Sequence, residues 1–92
     1  MAILVTLQVG PVDWPKFKAA IDWLKSAPAP GRGSSEVYRG ESDASQVLIV
    51  ERWDSHDAMH AYQDQVGEEF NRRAATGELD WQTGVWELAE SL

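Results

Sequence analysis

The sequence predicts an α+β domain with a four-stranded antiparallel sheet and helices on one of its faces. Three observations predict it. Short β-branched runs recur at both ends and in the middle of the chain, "ILVTLQV", "QVLIVERW" and "GVWELA". Two stretches between them, "WPKFKAAIDWLKSA" and "HDAMHAYQDQV", place apolar residues at helical spacing. Gly, Pro and Ser clusters fall between these segments and nowhere inside the strand runs.

Ile3 to Val9 is the first strand, ended by Gly10-Pro11. Asp13 is suited to cap the helix that follows, and Pro15 fits its first turn. Trp14, Phe17, Ile21 and Leu24 form its apolar face, and Lys25 falls where the helix dipole favours a cation. "PAPGRG" interrupts the chain as a loop. Its G-x-G lies between a helix and a strand, the wrong order for a dinucleotide fingerprint. "SSEVYRG" is a short second strand, "ESDAS" a polar turn, and "QVLIVERW" the strongest strand in the chain. Ser55 caps the next helix, with Asp57 in its first turn. Gly67 is expected to divide that helix from another, "EEFNRRAA", which ends at Thr76-Gly77. "ELDWQTG" leads into the last strand, "GVWELA". The order β-α-β-β-α-(α)-β is the split βαβ, ferredoxin-like pattern, and it leaves one sheet face bare. Residues 1–92 are expected to form a single domain. A chain of this size buries only about 60–65% of its unfolded surface. The bare face and the small size together predict a homodimer formed through the sheet.

Charge and composition exclude several classes. Fifteen acidic residues against eight Lys and Arg give a net charge of −7. The basic residues are scattered apart from Arg72-Arg73, so there is no basic face for a phosphate backbone and no nucleic-acid partner is expected. No segment has the ~20 apolar residues of a membrane span. The start "MAILVTLQVG" lacks a basic n-region and reads as a strand, which, with the absence of Cys, suits the cytoplasm. Five Trp in so short a chain point to cores, pockets and interfaces.

Two constellations are candidates for chemistry. His56 and His60 are four apart and share a side of a helix, with Asp64 a further four on. A zinc hydrolase needs a Glu after the first His, where this chain has Asp57, and no third ligand is identifiable. Ala58, Met59, Tyr62 and Val66 mark the apolar face, away from His60, so the pair is read as solvated and no metal is expected. The second constellation is the end of the central strand. Alternation puts Val47, Ile49, Glu51 and Trp53 on one face and Leu48, Val50 and Arg52 on the other. If the first face lies under the helices, Glu51 and Trp53 line a space that Tyr62 and Met59 approach from above. A carboxylate beside Trp in a partly dry site is expected to have a raised pKa and to serve as a base toward a phenol or an activated carbon; the other reading is that Glu51 pairs with a neighbouring Arg at the strand end and Trp53 is core. Arg72 and Arg73, on the second half of the helical region, offer a guanidinium to clamp the anion so formed. The remaining aromatics, Phe70 among them, are expected mainly in the core, with Trp81, in the polar loop before the last strand, as the exception.

The stretch "VLIVERWDSHDAMHAYQ" resembles the hallmark of antibiotic biosynthesis monooxygenase (ABM) domains, members of the dimeric α+β-barrel superfamily. Their pattern is an apolar strand ending E-x-W, a polar cap, then a helix with Ala five residues after the Trp and an aromatic or His near nine. Here these are Glu51, Trp53, Ala58 and Tyr62. The resemblance implies a cofactor-independent monooxygenase acting on a small aromatic or polycyclic substrate. Glu51 and Arg73 would be catalytic, with Trp53, Tyr62, Met59, Ile49 and Phe70 against the substrate. The alternative it allows is a non-catalytic dimeric binding or accessory protein. In monooxygenase members a Trp, an Asn and an Arg surround the ligand. Trp53 matches the Trp and Arg73 the Arg, but Ile49 lies in the strand region expected to carry the Asn, and the chain's one Asn is Asn71. Lactone isomerases and haem-degrading enzymes share the superfamily. The haem-degrading relatives carry an Asn on the first strand and a His on the helix after the Trp, where this chain has Thr6 and Gln8 and, on the helix, Tyr62, with His60 about half a turn away.

Overall fold

A computed structural model describes residues 2–92. The elements are β1 (Ile3–Val9), α1 (Trp14–Leu24), β2 (Arg32–Arg39), β3 (Val47–Trp53), α2 (His56–Ala74) and β4 (Gln82–Trp86). They form one antiparallel sheet in the order β2-β3-β1-β4, as the ferredoxin-like pattern requires. Val5 stands opposite Glu51 on one side and Val85 on the other, and Leu7 opposite Ile49 and Thr83. This register brings Ile3, Val5, Val9, Val47, Ile49, Glu51 and Trp53 onto one face, where all are buried. Both helices cover that face.

The helices meet the sheet in two clusters. Phe17, Ala20, Phe70 and Ala74 pack on Val9, Val47 and Ile49; Met59, Tyr62 and Val66 pack on Ile3, Val5 and Trp53. Phe17 meets Phe70 edge-on, with ring centroids 5.4 Å apart. Trp53 and Phe17 are fully enclosed, and truncating either to Ala costs about 3–5 kcal/mol.

The helix caps follow the sequence at both N-termini. Asp13 is extended and its carboxylate accepts from the Lys16 N–H at 3.3 Å. Ser55 Oγ accepts from the Ala58 N–H at 3.1 Å. The expected break at Gly67 does not occur: α2 runs unbroken through it. Its buried residues Met59, Tyr62, Val66, Phe70 and Ala74 keep one continuous helical phase. The burial of five such side chains outweighs the ~1 kcal/mol that a mid-helix Gly costs. The expected stop at Gly77 is also corrected. The helix ends at Ala75, in the left-handed region at φ 57° and ψ 42°. Buried Thr76 fixes that end: its N–H donates to the Asn71 carbonyl at 3.0 Å and its hydroxyl to Asn71 Oδ1 at 2.7 Å.

Two strand boundaries move as well. β4 spans Gln82–Trp86 rather than starting at Gly84, because its pairing partner β1 reaches only from Gln8 to Leu4 along it. Gly84 is needed there: a Cβ would stand 2.6 Å from Trp86 Nε1, whose indole lies across it and donates to Thr6 Oγ1 at 3.1 Å. β2 starts two residues earlier than expected, at Arg32, and carries an irregularity between Arg32 and Ser34.

Candidate functional site

That irregularity shapes the site. Ser34 pairs with Arg52 and Arg32 with Trp53, so three residues of β2 span two of β3 and Gly33 is the extra one. Without the bulge, Arg32 would face the outer side of the sheet. With it, Arg32 shares the inner face with Glu51 and Trp53. Gly31, at φ 89°, makes the preceding turn, and a Cβ on it would press within 2.8 Å of Ala58 on α2. Its carbonyl accepts from the Asp54 N–H at 2.8 Å, which ties the start of β2 to the end of β3.

Arg32 meets two groups. Its Nη1 lies 3.4 Å from Glu51 Oε2 and 3.4 Å from the Tyr62 hydroxyl, and its guanidinium sits 5.3 Å from the Tyr62 ring centroid. Glu51 is buried at 6% exposure. Its Oε2 also accepts from Ser35 Oγ at 3.1 Å, while Oε1 accepts from the Trp53 indole at 3.3 Å. Trp53 and Tyr62 rings pack at 5.3 Å. Desolvation raises the Tyr62 phenol above its ordinary range, and the Arg32 cation pulls it part of the way back. Tyr62 is therefore a neutral phenol at physiological pH.

These groups open onto a cavity of about 690 Å³ between α1, α2 and the sheet. Leu7 and Ile49 form its floor; Ile21, Val66 and Phe70 form apolar walls; Glu51, Arg32, Ser35 and Tyr62 supply polar groups. Lys18 and Lys25, both exposed, also border it and share Asp22 as ion-pair partner. Trp81 folds back onto its own chain, within 6.4 Å of Phe17 and 6.3 Å of Phe70, and borders the cavity with its indole N–H buried and unpartnered among the described residues.

The cavity is lined by Glu51, Tyr62, Ile49 and Phe70 of the residues singled out from sequence. Trp53 and Met59 are buried behind its wall and support Tyr62 and Glu51 rather than facing the space. Arg73 does not line it. It pairs with Glu69 at 2.7 Å and stacks on Trp23 at 4.7 Å. Arg72 binds the same carboxylate, and hydrogen bonds from Arg72 first and Arg73 next hold Glu69 down to about 2. Two partners hold Arg73 where it is: the Glu69 carboxylate one turn back on α2 and the Trp23 ring on α1. Arg32, which the sequence reading left in a loop, is the cation at the site. Its one sequence signal is the flanking glycine pair, Gly31 and Gly33, which marks backbone under special demand.

His56 and His60 are exposed on α2 with ring centroids 6.0 Å apart. Among the described residues no group of three or more His, Asp or Glu is placed to hold a metal ion. No described helix is long and apolar enough to cross a membrane.

No family model matches the sequence, and no curated protein matches it. Solved structures do match in shape. SnoaB, a cofactor-independent oxygenase from Streptomyces nogalater, aligns with a TM-score of 0.78 at 16% identity, over 99% of this chain and 96% of that one. A proposed antibiotic biosynthesis monooxygenase from Caulobacter crescentus aligns with a TM-score of 0.78 at 16% identity, over 97% and 91% of the two chains. Rv0793 from Mycobacterium tuberculosis aligns at 0.74 and 15% identity, over 99% and 98%. The chain has their fold. At such identities the likeness extends to the fold alone, and it is the fold that the resemblance of "VLIVERWDSHDAMHAYQ" implies.

Proposed function

We propose that this chain is an ABM-type domain acting as a cofactor-independent monooxygenase on a small aromatic or polycyclic molecule with an acidic C–H or O–H. The observation that carries this is the convergence of Glu51, Arg32 and Tyr62 on one end of an apolar cavity. Glu51 Oε1 has Trp53 as its partner and a lone pair to spare, and it takes the substrate proton. The anion left on the substrate lies beside the Arg32 guanidinium and the neutral Tyr62 hydroxyl, which stabilise the developing charge in a low-dielectric site. Molecular oxygen, itself apolar, enters the same cavity and takes an electron from the anion, and the two radicals combine into a peroxide. The peroxide recovers the proton, then loses water as the second C–H proton leaves. The sum is CH₂ + O₂ → C=O + H₂O, with no other oxidant or reductant required.

The test is oxygen uptake with an anthrone as substrate, in air and under nitrogen. Product should form in air only, and Glu51→Gln should slow it about 10²-fold or more. Equal aerobic rates for the wild type and Glu51→Gln would remove Glu51 as base.

A second reading, a non-catalytic binding or accessory protein, is favoured by Ile49. It forms part of the cavity floor, in the strand region where monooxygenase members carry an Asn, and Asn71 Oδ1 is already engaged by Thr76. In either case the functional unit is a homodimer formed through the outer sheet face.

A further inference from the structure

Gly67 sits in the middle of a 19-residue helix, a position where Gly is disfavoured relative to every residue but Pro. Packing does not demand it. A Cβ built on Gly67 meets nothing within 4 Å, so no neighbour of the fold needs the side chain to be missing. The open space there is the cavity: Gln63, Gly67 and Asn71 occupy successive turns of one α2 row, and all three line it. The glycine therefore leaves a notch in the helical wall, bracketed by two carboxamides. The Thr76 hydroxyl occupies Asn71 Oδ1, so the amide N–H pair is what Asn71 offers toward a ligand.

We infer that Gly67 is a specificity-determining residue: it lets a flat, fused-ring ligand lie against the α2 backbone, between Gln63 and Asn71. The inference rests on the cavity being the ligand site. Any side chain at 67 narrows the wall by a methyl or more and favours smaller, single-ring ligands.

The experiment is a fluorescence titration with 8-anilinonaphthalene-1-sulfonate, alongside thermal unfolding, for the wild type, Gly67→Ala, Gly67→Leu and Val37→Trp. Val37 lines the cavity from the sheet side and is partly exposed, so a Trp there obstructs the space independently of α2. Both Gly67 variants should raise Tm, Ala by roughly 4 °C, because each improves helix propensity. They should also weaken the dye, Ala at least twofold and Leu at least tenfold. Stability and binding moving in opposite directions is the signature that a purely structural glycine does not give. If Val37→Trp loses the dye while both Gly67 variants hold it within twofold, the cavity binds but Gly67 does not select, and the inference is overturned alone. If the wild type does not bind, or all three variants bind like it, the cavity is not the site and both fall.

Discussion

Arg32 and Glu51 lie 19 residues apart in sequence and meet at 3.4 Å on the inner face of the sheet because β2 bulges at Gly33. The pair is part-buried, with the Arg32 side chain 24% exposed and that of Glu51 8%. Removing the cation leaves a buried carboxylate with two neutral donors only. Arg32→Ala should destabilise the protein by about 1–3 kcal/mol, measured by urea unfolding. Glu51→Gln should cost less, since a neutral amide tolerates burial, and the two together should cost less than their sum. Strict additivity would mean the pair is not coupled.

Arg73 provides the contrast. Its ion pair with Glu69 and its contact with Trp23 keep it out of the cavity lining. Arg73→Ala should cost no more than about 1 kcal/mol and leave ligand affinity and turnover within twofold. Arg32→Ala should lower turnover of the same substrate at least tenfold. The reverse order would return the anion-binding role to Arg73.

Tyr62 predicts an alkaline effect. Its phenol is raised chiefly by burial, so the folded state holds the proton more tightly than the unfolded chain does. The resulting stability is fully present below the unfolded tyrosine pKa and is lost as pH rises through the higher folded value. Tyr38 is raised too, by its hydrogen bond to Glu36, so the measurement uses Tyr38→Phe. In that variant, absorbance at the phenolate band should appear later than in a denatured control. Adding Arg32→Ala should delay it further, because the cation that favours phenolate is gone. An earlier onset would contradict the Arg32–Tyr62 contact.

The fold was legible because its signals are local and repeated. Alternation in β3 sorts Val47, Ile49, Glu51 and Trp53 onto one face, and the helical phase after Ser55 selects Met59, Tyr62 and Val66. Asp13 and Ser55 mark helix starts by chemistry that acts within three residues. What was not legible depends on tertiary contacts. Gly67 is carried through by the packing of Met59, Tyr62, Val66, Phe70 and Ala74 along the same helix, and the C-terminus of α2 is set by the burial of Thr76 rather than by the glycine after it. Arg32 was missed because its Gly-flanked segment reads as a loop, whereas pairing with Trp53 across a bulge extends β2 back to it. Arg73 was chosen for being a cation on the right helix, when its tertiary partners, Glu69 and the Trp23 ring, decide what it reaches.

The end of α2 gives a direct test of that cap. Ala75 adopts the left-handed conformation that an L-residue with a Cβ pays for and Gly does not. Its N–H still closes onto the Asn71 carbonyl, so the geometry is useful and only the side chain opposes it. Ala75→Gly should stabilise the protein by about 0.5–1 kcal/mol, a Tm rise of a few degrees. A fall in Tm would place the helix end elsewhere.

The outer sheet face carries the prediction of assembly. Leu48, Tyr38 and Trp86 are exposed on it at 36%, 49% and 58%, and the register adds Leu4 and Val50 between them. A large indole held in place by Thr6 and lying over Gly84 is pre-ordered, so covering it costs little side-chain entropy. Arg52 and Glu36 share this face and can pair with charges on a second copy at the rim. Sedimentation at micromolar concentration should give twice the monomer mass. Leu48→Lys places a charge within the apolar area, beside Tyr38, and should shift the protein to monomer while its circular dichroism stays that of a folded domain. Trp86→Ala should weaken the dimer by about 2 kcal/mol or more if the indole is an anchor of the interface. A wild-type protein that sediments as a monomer would leave these side chains in water and remove the dimer; a dimer indifferent to both substitutions would move the interface to another face.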